Sequence, residues 1–296
     1  MLPGVKIKEV QTKNLITKSN LPDADYVINP YTGCLHSCIY CYARFMKRFT
    51  GHNEPWGRFV DVKVNAAEAV PKNGEKYKNK AVFMSSVTDP YLELEKKYEL
   101  TRRVLGRIVG FEPALSIQTK SALITRDIDL LQGFKLCRVG MTVTTLDDTV
   151  RAAIEPHASP VADRLSALKK LKQNGLSTYV FIGPVLPFIT DWREIIRRTR
   201  DFTDCYYFEN LNMYGTIKKD LFAWLEGYNR NRLASYLSIL RAPAVYWEAV
   251  KQEITEYCAA HGITYKLYFD HKAIRKTAGV ENGAGRATRA ATERKS

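Results

Sequence analysis

Three cysteines fall close together, Cys34, Cys38 and Cys41, on a stretch that reads Gly33-Cys34-Leu35-His36-Ser37-Cys38-Ile39-Tyr40-Cys41-Tyr42-Ala43 and follows an Asn-Pro-Tyr-Thr-Gly turn. With CxxxCxxC spacing, one short loop can wrap one face of an iron–sulfur cube, because soft thiolates suit iron–sulfur clusters and close spacing spares the loop from stretching. The other cysteines, Cys137, Cys205 and Cys258, are scattered. A cluster held by three cysteines keeps one iron open to an outside ligand, whereas a structural zinc site is closed by four protein ligands. His36 would have to complete such a zinc site. A histidine two residues from Cys34 is poorly placed for a tetrahedron with Cys38 and Cys41, and no second CxxC pair is present. Six cysteines in 296 residues are too sparse for a disulfide-stapled secreted fold. The tight group therefore points to metal in a reducing compartment, and the chain is expected to be cytoplasmic.

A metal-holding loop needs a scaffold, and the chain alternates short β-rich runs with longer helical ones. Strands are predicted over 26–29, 81–86, 114–118, 137–144, 178–183, 206–211 and 264–269, with helices between them such as 100–109 and 161–174, the latter stopped by Gly175. Several strands read as apolar along their whole length, which argues for a parallel sheet covered by helices. In such folds the working residues sit at the carboxyl ends of the strands. Here those ends are polar: Asn29-Pro30-Tyr31, Ser85-Ser86-Val87-Thr88-Asp89, Gln118-Thr119-Lys120-Ser121, 142–145, Gly183-Pro184 and Glu209-Asn210-Leu211-Asn212.

Composition narrows the class of molecule. With 45% hydrophobic and 26% charged residues the chain has enough apolar material for a substantial core. No run of about 18 apolar residues is present, and the N-terminus has lysines but no apolar stretch followed by a small-residue cleavage site, so no membrane association is expected. The net charge of +14 favours an anionic partner such as nucleic acid. Residues 271–296 carry seven Lys or Arg against two acids and read as a flexible basic tail, leaving +9 on the residues before it. The expected organisation is an N-terminal extension over 1–24, a core over 25–270 and that tail.

The cysteine signature with an aromatic before its last member, CxxxCxYC, resembles the radical S-adenosylmethionine (SAM) superfamily. Further motifs resemble its spore photoproduct lyase-like, or DNA repair photolyase-like, branch: Asn29-Pro30-Tyr31-Thr32-Gly33-Cys34, Cys41-Tyr42-Ala43-Arg44, Ser86-Val87-Thr88-Asp89-Pro90-Tyr91, Thr119-Lys120-Ser121, Arg126-Asp127-Ile128-Asp129-Leu130-Leu131, Thr142-Val143-Thr144-Thr145-Leu146-Asp147-Asp148 and Glu155-Pro156. Together they span roughly residues 25–215 in order. The resemblance implies an α/β fold, a partial (β/α)6 TIM-type barrel with a C-terminal helical and strand extension. It also implies a [4Fe-4S] cluster on Cys34, Cys38 and Cys41, SAM on the open iron, and a reducing electron donor such as flavodoxin or ferredoxin.

Within that resemblance the polar ring is matched to SAM by chemistry. A carboxylate wants a cation and a hydroxyl, which Lys120 and Thr142 offer; an ammonium wants acceptors, which Ser85, Ser86 and Asp89 offer, with loop capping as the alternative for Asp89. Tyr40 is placed to pack against adenine. A tyrosine pair at the positions of Tyr40 and Tyr42 is implicated in hydrogen return in the lyases, together with a cysteine shortly before an Asp. This chain has Ser85 or Ser86 at that place, and a serine O–H bond is too strong to hand over a hydrogen atom readily. Arg151, Glu155 and Arg164 are expected to form a structural ion-pair set, with substrate contact as the alternative. Cys137 is expected at the wrong end of its strand, Cys205 and Cys258 as buried apolar residues, and the aromatics Tyr206, Tyr207, Phe208, Tyr214, Trp224, Tyr246 and Trp247 as packing. Three functions stay open: a radical SAM enzyme acting on DNA or RNA, one acting on a peptide or protein, and a non-catalytic iron–sulfur or zinc nucleic-acid-binding protein.

Overall fold

All seven predicted strand runs are present within two residues of their expected bounds in the computed structural model, which describes residues 4–269. The tail expected at 271–296 lies outside the described residues. In chain order the strands are β1 Lys6–Val10, β2 Ile16–Lys18, β3 Tyr26–Ile28, β4 Tyr31–Thr32, β5 Phe59–Lys63, β6 Ala81–Met84, β7 Ala114–Thr119, β8 Leu136–Thr142, β9 Ser177–Val185, β10 Cys205–Asn210 and β11 Tyr265–Tyr268. The α-helices are α1 Glu95–Tyr98, α2 Leu100–Ile108, α3 Ile128–Leu131, α4 Asp148–Ile154, α5 Val161–Gln173, α6 Trp192–Thr199, α7 Gly215–Tyr228, α8 Arg230–Ile239 and α9 Pro243–Ala260.

The large sheet runs β11-β10-β9-β8-β7-β6-β3-β2. Every pairing from β3 to β11 is parallel, and only β2 joins antiparallel. Parallel neighbours need crossover connections; α-helices supply them from β6 onward, while the β3–β6 crossover carries the cysteine loop, β4 and β5. The sheet curls: Lys266 and Tyr268 on one edge strand both donate to the carboxylate of Asp23, in the turn between β2 and β3 at the other edge. That closure gives the partial TIM-type barrel, with α7, α8, α9 and β11 as the C-terminal extension. Residues of the N-terminal extension are structured too: β1 pairs with β5 in a second sheet of order β1-β5-β4, and β2 pairs with β3.

The two faces of the barrel sheet differ. On β7, Leu115, Ile117 and Thr119 are buried, while Ser116 and Gln118 alternate with them on the other face. That second face is polar and aromatic: Tyr179 donates to the carbonyl of Ile117 at 3.2 Å, Arg138 donates to Tyr207 at 2.8 Å, and Tyr207 meets Tyr268 edge to face. Uniformly apolar strands are thus not the rule here; one face packs on helices and the other lines the barrel interior. Gly140 is required by this lining, because a Cβ there would come 2.0 Å from the Tyr179 ring that crosses β8. Lys120 prolongs the Ser116–Gln118 row, Thr142 the Arg138–Gly140 row, and Glu209 the Tyr207 row, so strand alternation alone brings the three to one face.

Candidate active site

The cysteine loop starts where β4 ends. Gly33 has φ +91° and a Cβ there would sit 2.4 Å from the Phe59 carbonyl oxygen, so only glycine lets the chain pass β5 into the loop. From there the loop is tied down on several sides. Ile39 N–H donates to the carbonyl of Ile154 at the end of α4 (3.0 Å), and Thr88 donates its hydroxyl to the Gly33 carbonyl (2.6 Å). Arg44 folds back to donate to the Ile39 carbonyl (2.8 Å) and the Cys38 carbonyl (3.3 Å), its other arm paired with Asp220 on α7. Asn29 accepts from the Ser86 and Val87 amides (3.0 and 3.2 Å), which explains why the Asn-Pro-Tyr-Thr-Gly and Ser-Ser-Val-Thr-Asp stretches belong together.

Cys34 and Cys38 are buried and Cys41 half-buried. Burial pushes all three thiols up, Cys38 to about 12; the Cys34 thiol is raised further by Asp89, Cys41 and Cys38. Cys34 is thus close enough to feel the charge of both other cysteines, and Cys38 that of Cys41. Among the described residues, however, no three His, Cys, Asp or Glu side chains crowd around one point as a single ion requires. Three thiol donors on one short loop with no fourth cysteine beside them suit a cluster that keeps one iron open better than they suit a closed zinc site. Mutually repelling thiols need positive charge to ionise, so the donor set fits an iron–sulfur cluster.

Lys120 supplies a protein cation facing the same place. Burial works against its charge, but Cys38 and Glu155 outweigh it and the pKa is raised; its Nζ lies 5.6 Å from the Tyr40 ring centroid. Asp89 holds this corner together. Its carboxylate accepts from the Tyr91 amide (2.8 Å), the Thr119 hydroxyl (2.7 Å) and the Lys120 amide (2.9 Å). Of the two roles expected for Asp89, loop capping is the one these bonds display. Thr142 is buried and accepts from Gln118 at 3.3 Å. Ser86 accepts from Asn29 at 3.2 Å, while the buried Ser85 hydroxyl and the Asn210 side-chain oxygen have no hydrogen-bond partner.

The two tyrosines differ. Tyr40 is 7% exposed and donates to Glu155, with Thr144 at 3.3 Å. Glu155 in turn takes Arg164 at 2.5 Å, and Arg164 reaches the Thr142 carbonyl at 3.0 Å. Burial raises Glu155, but Arg164 and Lys120 overcome it and the pKa is lowered. The ion-pair set expected from the sequence is therefore split: Glu155 and Arg164 form a buried strut behind the loop, whereas Arg151 pairs with Asp148. Tyr42 is 43% exposed and donates to the Ser86 carbonyl, and its own carbonyl accepts from Tyr214 at 2.8 Å. Tyr214, read as packing from sequence, is instead an exposed residue at this rim.

Two features went unassigned in the sequence. Glu209, at the end of β10, is raised by burial to about 7 against the pull of Lys120, and Tyr42 is raised by burial first and by the Glu209 charge second. Its place in the polar strand-end series was the available signal. The Arg126-Asp127 motif turns out to be scaffold, Arg126 bridging Glu95 (3.0 Å) and Asp127 (2.7 Å) while Tyr31 donates to Glu95. Cys137 lies near the amino end of β8 as expected; Cys258 is buried, but Cys205 is only half-buried. A cavity of about 530 Å³ lined by Lys72, Glu75, Lys78 and Glu112 lies by the amino ends of β6 and β7, opposite the cysteines.

Comparison with known proteins agrees with this geometry. The Radical SAM superfamily model matches residues 28–199. An uncharacterized protein of Methanocaldococcus jannaschii is 40% identical over 209 residues, covering 71% of this chain and 79% of that protein. A radical SAM Nalpha-GlyT isomerase of Pseudomonas phage M6 is 26% identical over 168 residues, covering 56% of this chain and 34% of that one. Among solved structures, spore photoproduct lyase complexed with dinucleoside spore photoproduct aligns with a TM-score of 0.58 at 17% identity, over 73% of this chain and 65% of the lyase chain. At that identity the likeness is one of fold.

Proposed function

This chain belongs to the radical SAM superfamily, whose members use a [4Fe-4S] cluster and SAM, and from that premise we propose that it is an enzyme that cleaves SAM reductively and takes a hydrogen atom from a nucleic-acid substrate. When bound, the cluster and SAM supply methionine and a 5′-deoxyadenosyl radical; the protein's part is to bind, orient and shield. In this reading Cys34, Cys38 and Cys41 hold three irons and leave the fourth for SAM. Lys120 and Thr142 take the SAM carboxylate, and Ser85 and Ser86 accept from its ammonium. Asp89 fixes the Lys120 backbone through its bonds to the Thr119 hydroxyl and the Lys120 amide. Tyr40 presents its ring beside Lys120, and Tyr42 stands at the substrate side.

The observation that carries the reading is the placement of a half-buried lysine just past the carboxyl end of β7, its Nζ 5.6 Å from the ring of Tyr40 in the cysteine loop. The substrate class rests on charge and on relatives: a net +14 here, and neighbours whose names concern a dinucleoside photoproduct and a Nalpha-GlyT isomerase. With serines at the end of β6 and no thiol there, reversal of the spore photoproduct itself is not proposed. The test is anaerobic turnover with dithionite and deuterated oligonucleotides or peptides. Methionine and 5′-deoxyadenosine should form, with deuterium reaching deoxyadenosine from nucleic acid. Deuterium from peptides alone would replace the substrate class, and no SAM cleavage by an intact cluster would overturn the enzymatic reading.

A further inference from the structure

Exposed aromatic rings are not spread evenly over this molecule. Among the described residues the exposed Phe and Tyr side chains are Tyr42, Phe45, Phe49, Phe188, Tyr214 and Tyr228. All but Tyr228 lie in segments that leave the carboxyl ends of the barrel strands: the 3₁₀ helix Tyr42–Phe49 beyond the cysteine loop, the turn after β9, and the turn after β10. These rings thus gather at the end of the barrel that holds the cysteines and Lys120.

Arginines lie over several of them. The Arg48 guanidinium is 5.5 Å from the Phe45 ring centroid and 4.7 Å from that of Phe49, and the two rings stand perpendicular with centroids 6.5 Å apart. Arg232 similarly covers Phe188 at 5.5 Å. The segment Tyr42–Phe49 contains Arg44, Lys47 and Arg48 and no acidic residue. Tyr214 ties it to the β10 side through its bond to the Tyr42 carbonyl.

We propose that Phe45, Arg48 and Phe49, with Phe188 and Arg232 across the rim, form a stacking ledge for unpaired bases of single-stranded nucleic acid next to the reaction site. Exposed rings at 37% and 67% for Phe45 and Phe49 are unfavourable unless something covers them. A paired duplex hides its base faces and offers mainly phosphates, which need cations but no rings. Unpaired bases offer π-faces that stack on aromatics and guanidinium planes, while the positive segment tracks the backbone. Where the hydrogen to be taken lies on a base inside the stack, an unstacked strand also delivers it. As to substrate class the ledge rests on the reading above, but its binding can be measured without turnover.

The test is fluorescence anisotropy of reconstituted full-length protein with fluorescein-labelled oligothymidine and with a matched duplex, over a salt series. Phe45→Ala with Phe49→Ala should weaken single-strand binding roughly tenfold or more with an unchanged salt slope, and leave duplex binding as it was. Arg48→Gln should make the salt slope shallower. Phe49→Trp should restore affinity to the single-ring variant Phe49→Ala, and its fluorescence should be quenched by the oligonucleotide. Equal binding by wild type and the double alanine variant, or tryptophan fluorescence indifferent to the strand, overturns the ledge, including the case in which the surface serves a protein partner. The two readings separate cleanly. Deoxyadenosine formation without single-strand binding sinks the ledge alone, and single-strand binding without deoxyadenosine formation sinks the enzymatic reading alone.

Discussion

The two tyrosines flanking Cys41 head opposite regions of the site. On the inner side, Tyr40, Glu155 and Arg164 form a buried chain of charge-assisted bonds that reaches the end of α4, α5 and the Thr142 carbonyl. On the outer side, Tyr42 is half in solvent, its carbonyl accepts from Tyr214, and it opens the segment that carries the exposed Phe45 and Phe49. The inner wall is fully satisfied and closed, so it can hold a loop of mutually repelling thiols in one geometry. The outer rim keeps its rings exposed, so it is suited to a substrate that arrives and leaves. Rigidity for the cofactor and adaptability for the substrate are thus divided across one residue of sequence.

That division can be broken from the inside first. Arg164→Ala should cost about 3–5 kcal/mol in urea unfolding, because it strands the Glu155 carboxylate in the interior. Adding Glu155→Gln should recover much of the loss; a mild single effect would mean that the wall is not the anchor described. Next, Tyr40→Phe should cost about 2 kcal/mol by removing a bond to a buried carboxylate, whereas Tyr42→Phe should cost less than about 1 kcal/mol. The same pair sharpens the contrast in turnover: Tyr42→Phe should change the fate of substrate while the cluster absorbance stays as in wild type. Equal destabilisation by the two changes would erase the distinction between the regions.

A smaller effect is expected from Glu209, which sits between them. Burial raises its pKa from 4.5 to about 7, so the folded chain holds this proton more tightly than the unfolded one. Its stabilising share is complete below about pH 4.5 and is lost as pH rises through 7. Wild-type stability should therefore decline across that window by on the order of 2 kcal/mol relative to Glu209→Gln. Parallel pH profiles for the two proteins would show that Glu209 is better solvated than its position implies.

Much of this molecule was legible in its residues. The barrel strands announced themselves as β-rich runs ending in polar groups, and the cysteine spacing with Lys120 pointed to the cofactor end. What stayed hidden depended on partners far away in sequence. Strands β1 and β5 are short and find each other across some fifty residues, so neither Lys6–Val10 nor Phe59–Lys63 stood out alone. The Arg44 clasp on the Ile39 carbonyl, and Glu155 as the acceptor for Tyr40, are contacts that no local pattern encodes. Phe45 and Phe49 carried no signal in the sequence, because only the fold shows them left in solvent at the working end.

The most direct test of the central claim is spectroscopic, on anaerobically reconstituted protein with and without SAM. Three cysteine ligands and an open corner predict a [4Fe-4S] signal that is lost in Cys38→Ala, and one iron whose Mössbauer parameters change when SAM is added to the wild type. Zinc in place of iron, or a cluster whose irons are all indifferent to SAM, would contradict the account.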